Sequence, residues 1–133
     1  YPGVKRYMDE TIATAKKLGY VTTLQGRRRY LPEIQRKGPA QRGAERIAIN
    51  TPLQGTAADL IKRAMIAIHH RLINESFATK MILQVHDELV FEVPKKEEKK
   101  VEALVKEEME RALALDIPLV VDTGWGANWS EAH

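Results

Sequence analysis

The sequence contains no cysteine. Disulfides and thiolate metal sites are therefore excluded, as suits a reducing compartment. No apolar run reaches membrane-spanning length and no signal-like pattern opens the chain, so no membrane partner is expected. No internal repeat or low-complexity tract is present, and neither a Rossmann nor a P-loop glycine pattern occurs. The first residue is Tyr1 rather than methionine, so a cut from a longer chain is expected.

What is present fits one globular domain with a modest core: 133 residues, 44% hydrophobic and 29% charged. The net charge of +3 hides an asymmetry. Residues 1–72 carry 14 Lys/Arg against 5 Asp/Glu, net +9, and residues 73–133 carry 7 against 13, net −6. A basic half joined to an acidic half points to a polyanion on one face, or to ordinary solvated helix surface.

Val4, Tyr7, Met8, Thr11, Ala15 and Leu18 form one stripe, predicting a helix over 3–18 capped by Gly19. Tyr20–Leu24 and Arg28–Ile34 read as short strands around Gln25-Gly26, the second limited by Pro32. Residues 35–43 read as a loop. From Ala44 to about Asn74 the periodicity is helical, with a kink or break expected at Pro52, which cannot donate to the Ala48 carbonyl. The apolar runs 81–85 and 89–93 predict a hairpin with His86-Asp87-Glu88 at its tip. An amphipathic helix over 95–115 and a last strand over Ile117–Val121 follow, and Trp125 and Trp129 read as packing anchors for the tail. The order helix, hairpin, long kinked helix, hairpin, helix, strand predicts an α+β fold with an antiparallel sheet covered by helices.

Three groups of residues carry chemistry. Adjacent acids at a tight hairpin tip, Asp87 and Glu88, suit a hard cation, because Mg²⁺ takes oxygen ligands and keeps waters for phosphates. An Asp-Glu turn without a role is the other reading. Arg46, Asn50 and Gln54 lie at i, i+4 and i+8 on one helix face, a row that can track phosphates, sugars or minor-groove edges, or simply face water. Small neighbours such as Ala48 and Gly55 would let that face approach a partner closely. A glycine inside a helix costs about 1 kcal/mol and needs a reason. Arg27, Arg28 and Arg29 in an extended segment offer phosphate contacts or a charged edge.

Four ordered blocks resemble family A DNA polymerases, the group of bacterial DNA polymerase I. They are Tyr1-Pro2-Gly3-Val4, Gly19 to Arg29, Arg46 to Asp59 (with Gln54-Gly55-Thr56-Ala57-Ala58-Asp59) and Gln84 to Val90 (with Val85-His86-Asp87-Glu88-Leu89). The ending Asn128-Trp129-Ser130-Glu131-Ala132-His133 is also similar, so the likeness runs over essentially the whole chain.

The resemblance implies that residues 1–133 form the C-terminal portion of a polymerase palm. Asp87 would be a catalytic metal ligand and Glu88 an accessory acid. His86 would sit by the primer terminus. Arg46, Asn50 and Gln54 would contact primer–template DNA, and one or more of Arg27, Arg28 and Arg29 would touch backbone phosphate. The chemistry implied is two-Mg²⁺ attack of a primer 3′-hydroxyl on a deoxynucleoside triphosphate, in replication and repair. The setting implied is a bacterial cytoplasm, at the nucleoid. The family's other catalytic aspartate and its nucleotide-gripping fingers helix match nothing in these residues. The chain alone is therefore expected to be inactive and to depend on the remainder of a polymerase. A non-catalytic nucleic-acid-binding module and a two-metal nuclease are the alternatives, and the nuclease would need more acids near the tip than are present.

Overall fold

A computed structural model describes residues 1–133. The chain divides into two compact units, Tyr1–Asp59 and Leu60–His133. The α+β expectation holds, but the strands form two separate antiparallel pairs rather than one sheet.

In the first unit, α1 spans Pro2–Leu18 and ends at Gly19, whose left-handed backbone lets its N–H donate to the Ala15 carbonyl at 2.7 Å. The strands β1 (Tyr20–Thr22) and β2 (Arg28–Tyr30) pair with Tyr20 opposite Tyr30 and Thr22 opposite Arg28. Both are shorter than predicted. β1 stops where the Thr23 hydroxyl organises the turn, accepting from the N–H groups of Gln25 and Arg27, each at 3.3 Å. β2 stops because Pro32 opens a 3-10 turn, Pro32–Gln35.

Helix α2 spans Pro39–Asn74, so most of the predicted loop is helical. Proline is tolerated in a first turn, where its missing N–H would be unbonded anyway. Pro52 lies inside the helix without breaking it, and the Thr56 hydroxyl donates to its carbonyl one turn on. The core of this unit joins Ala15, Val21, Leu31, Ile34, Ala44 and Ala48. The Tyr7 hydroxyl donates to the Ile49 carbonyl at 3.0 Å, and Lys16 meets Glu45 at 2.6 Å.

In the second unit, β3 (Lys80–Val85) and β4 (Glu88–Glu92) form the predicted hairpin. Its register steps from Met81 opposite Phe91 to Leu83 opposite Val90, a bulge that leaves Ile82 as the extra residue. A 3-10 turn, Lys95–Glu97, leads into α3 (Glu98–Glu110), which starts three residues later and ends five residues earlier than expected. Ile61, Ala64, Ile68 and Leu72 of α2 form a core with Val101, Leu104, Val105 and Met109 of α3, and Leu89, Phe91 and Val93 pack on it. The Glu97 carboxylate accepts from Thr79 Oγ1 at 2.6 Å and from the N–H groups of Ala78 and Thr79 at 2.9 and 3.0 Å. The Thr79 hydroxyl and these N–H groups hold its carboxyl below the usual range. Buried Glu108 is matched by Arg71 and Arg111, each at 3.2 Å.

The last strand is not formed. Ile117–Val121 has no ladder partner, Pro118 cannot donate, and Ile117 and Val120 are exposed. This stretch is tacked to α3 instead, with the Val121 N–H donating to Glu110 Oε1 at 3.2 Å and the Thr123 hydroxyl to Glu102 Oε1 at 2.6 Å.

The structure also accounts for Gly55. A Cβ there would lie 2.6 Å from Cγ2 of Thr23, which is buried, β-branched and held by its hydroxyl. The close approach of the chain's own hairpin is thus a reason for the small residue. Gly55→Ala should lower stability by about 1 kcal/mol net, since overpacking costs about 1–3 and alanine returns about 1 in a helix. In a Thr23→Ser background, which keeps the hydroxyl and removes the methyl, the same change should become stabilising. Urea unfolding of the four proteins checks this. An unchanged sign would remove crowding as the reason for the glycine.

Candidate functional site

The β3–β4 turn contains only His86 and Asp87, because Glu88 already pairs with Val85 as the first residue of β4. The predicted three-residue tip is thus a two-residue one. His86 takes a positive φ of 53°, as the first position of a tight hairpin turn can require, and the Gln84 side-chain amide donates to its carbonyl at 2.6 Å. Asp87 is exposed and makes no hydrogen bond or ion pair within the chain. Glu88 is exposed but engaged: its Oε1 lies 3.1 Å from Nε2 of His133. The two neighbouring acids therefore differ in freedom.

In the first unit, Arg46, Asn50 and Gln54 are all exposed on successive turns of α2 without intrachain side-chain partners. Ala48 and Thr51 between them and Thr56 just beyond are buried, so the polar row is the solvent side of a helix whose other side packs.

The three arginines diverge. Arg27 Nε donates to Asp59 Oδ1 at 2.8 Å and its Nη2 to the Gly55 carbonyl at 3.2 Å. The Thr23 hydroxyl donates to Asp59 Oδ2 at 2.6 Å, so one carboxylate collects the hairpin's arginine and its turn threonine. The Arg28 guanidinium sits 4.5 Å from the Tyr20 ring centroid, with Tyr20 edge-on to Tyr30. Arg29 Nη1 donates weakly to Thr51 Oγ1 at 3.4 Å.

A sequence model of DNA polymerase family A matches residues 1–131. The chain belongs to DNA polymerase family A. It is similar to DNA polymerase I of Bacillus caldotenax, 51% identical over 133 residues, covering 99% of this chain and 15% of that protein. DNA polymerase I of Pseudomonas aeruginosa is 52% identical over 134 residues, with 100% and 15% covered. A solved structure described as the POL domain of Pol1 from M. smegmatis in complex with DNA primer–template and dNTP matches at a TM-score of 0.96 and 44% identity, over 99% of this chain and 24% of that one. The family A chain described here thus spans about 15% of the length of the curated relatives it matches.

No group of three or more His, Asp or Glu residues that could enclose a metal ion occurs in this family A chain. The donor chemistry still fits a magnesium ion of the kind held by one or two carboxylates with waters and substrate phosphates completing the shell. Asp87 has an exposed carboxylate of that chemistry. No helix is long and apolar enough to cross a membrane.

Sequence reasoning missed two contacts. The Thr23–Asp59 bond spans 36 residues, and its one local signal is a threonine opening a Gln-Gly turn. The Glu88–His133 contact spans 45 residues and has no local signal. Arg27→Ala should cost about 1 kcal/mol, a charged hydrogen bond discounted for the arginine's half-exposed side chain. A double-mutant cycle with Asp59→Ala, read by urea unfolding, should give a coupling of about 0.5 kcal/mol or more. A coupling near zero would strip the pair of its structural role.

Proposed function

We propose that residues 1–133 are the C-terminal portion of the palm of a DNA-directed DNA polymerase, and that Asp87 is one of its metal-binding aspartates. The observation that carries this reading is an exposed, partnerless carboxylate on a two-residue turn, within a chain that matches family A along nearly its whole length. The reaction is attack of a primer 3′-hydroxyl on the α-phosphate of a deoxynucleoside triphosphate, with pyrophosphate leaving. When bound, the metal supplies activation of the attacking oxygen and neutralisation of charge on the leaving one.

The chain's own residues bind and position. Asp87 would hold the ion from the two-residue turn between β3 and β4, Glu88 would add a second acid beside it, and His86 would lie by the primer terminus. Arg46, Asn50 and Gln54 meet the primer–template end, the amides reading the minor-groove acceptors that every base pair offers. Of the arginines, Arg28 and Arg29 are the phosphate contacts, because Arg27 is committed to Asp59 and Gly55. The second aspartate and the groups that grip the nucleotide come from the remainder of the polymerase chain. The setting is a bacterial cytoplasm, at the nucleoid.

In the complete polymerase, Asp87→Ala should abolish incorporation while primer–template affinity stays within a few-fold. Collapse of affinity instead would make the acid structural and favour a binding module without chemistry. Template-directed extension by residues 1–133 alone, with Mg²⁺, would mean that one aspartate suffices. Arg46→Ala should weaken primer–template binding and flatten the slope of log affinity against log salt by about one. Fluorescence anisotropy across a salt series measures this, and an unchanged slope would leave Arg46 without a phosphate contact.

A further inference from the structure

The tail beyond α3 is folded back on itself and ends against the hairpin. Its start is pinned to α3 by Val121 and Thr123. Asn128 and Glu131 then close a turn: Asn128 Nδ2 donates to Glu131 Oε1 at 3.1 Å, and the Glu131 N–H donates to Asn128 Oδ1 at 3.1 Å. The Ala127 N–H donates to Glu131 Oε2 at 3.0 Å. The returning arm of this loop runs so close that a Cβ on Gly126 would lie 2.6 Å from Glu131 Cβ and 2.7 Å from the Ala132 nitrogen. The ring of Trp129, within the turn, and that of His133, beyond it, meet edge to face with centroids 5.4 Å apart. That leaves His133 Nε2 3.1 Å from Glu88 Oε1.

Magnitude decides what this last contact is for. The side chains of His133 and Glu88 are 52% and 45% exposed, and a polar contact so exposed adds between nothing and about 1 kcal/mol to stability. It does not hold the fold together. It fixes a rotamer. A glutamate has three side-chain torsions, and Glu88 directly follows the bare carboxylate of Asp87. Without a partner it would sample many positions and be pushed by its neighbour's charge.

We propose that His133 is a positioning residue for Glu88, so that the folded tail sets the geometry of the acidic hairpin. This rests on the reading of that hairpin as a polymerase's metal-binding tip. Groups that hydrogen-bond to carboxylates around a metal commonly shift affinity or activity by 10-fold or more when removed.

The test uses the complete polymerase. His133→Ala should lower the single-turnover incorporation rate about tenfold, with primer–template Kd and the unfolding midpoint unchanged. His133→Gln, whose amide can still donate to the carboxylate, should recover most of the rate. In a Glu88→Ala background, His133→Ala should have no further effect. Equal loss in that background, or no rescue by glutamine, would overturn the proposal by making the tail a general brace. If His133→Ala is silent while Asp87→Ala is dead, the positioning role falls and the polymerase reading stands. If Asp87→Ala retains incorporation, the reading of the hairpin itself is lost.

Discussion

A two-stranded β-ribbon is marginal in water on its own, and Asp87 stands at the end of one. Everything the acid can do depends on the burial that keeps β3 and β4 in register. Leu89, Phe91 and Val93 lay one face of the ribbon on the core formed by α2 and α3. Glu97 ties down the chain just before β3, gathering three donors from Ala78 and Thr79. With its base held at the helices, the hairpin can end in a two-residue turn rather than a longer loop, and its first carboxylate can stay uncovered.

The first unit solves a similar problem by polar means. Its hairpin is three residues a side and has a small core beneath it, so it is fastened to α2 by Thr23, Arg27 and Asp59. Gly55 makes that approach possible. One consequence is a division of labour among three arginines that look alike in the sequence. Arg27 is committed inward, whereas Arg28 rests on an aromatic ring with its charge in solvent.

The elements that were legible beforehand are those whose signal is local. The apolar runs around His86-Asp87 announced a hairpin, and Gly19 announced the end of α1. The candidate stripe of α2 followed from spacing alone. The errors share one cause, which is dependence on something distant. Ile117–Val121 has the composition of a strand, but a strand exists only where another offers its edge. Pro39 could have read as a loop or as a first helical turn, and nothing nearby decided between them. Glu88 was placed at the tip because register, set by pairing with Val85, cannot be counted from one strand. The small residues of α2 were visible, but the surface they approach lies some thirty residues away in sequence.

The extra residue at Ile82 reaches beyond local geometry. Each strand of the ribbon carries an outer rim of amide and carbonyl groups, and β3 turns the apolar side chains of Ile82 and Leu83 toward solvent. A flat rim of that kind would recruit copies of itself into stacked fibrils. The insertion breaks the two-residue rhythm and adds twist, so a straight foreign segment that matches one end of β3 falls out of step at the other. Such an irregularity disfavours edge-to-edge pairing along β3.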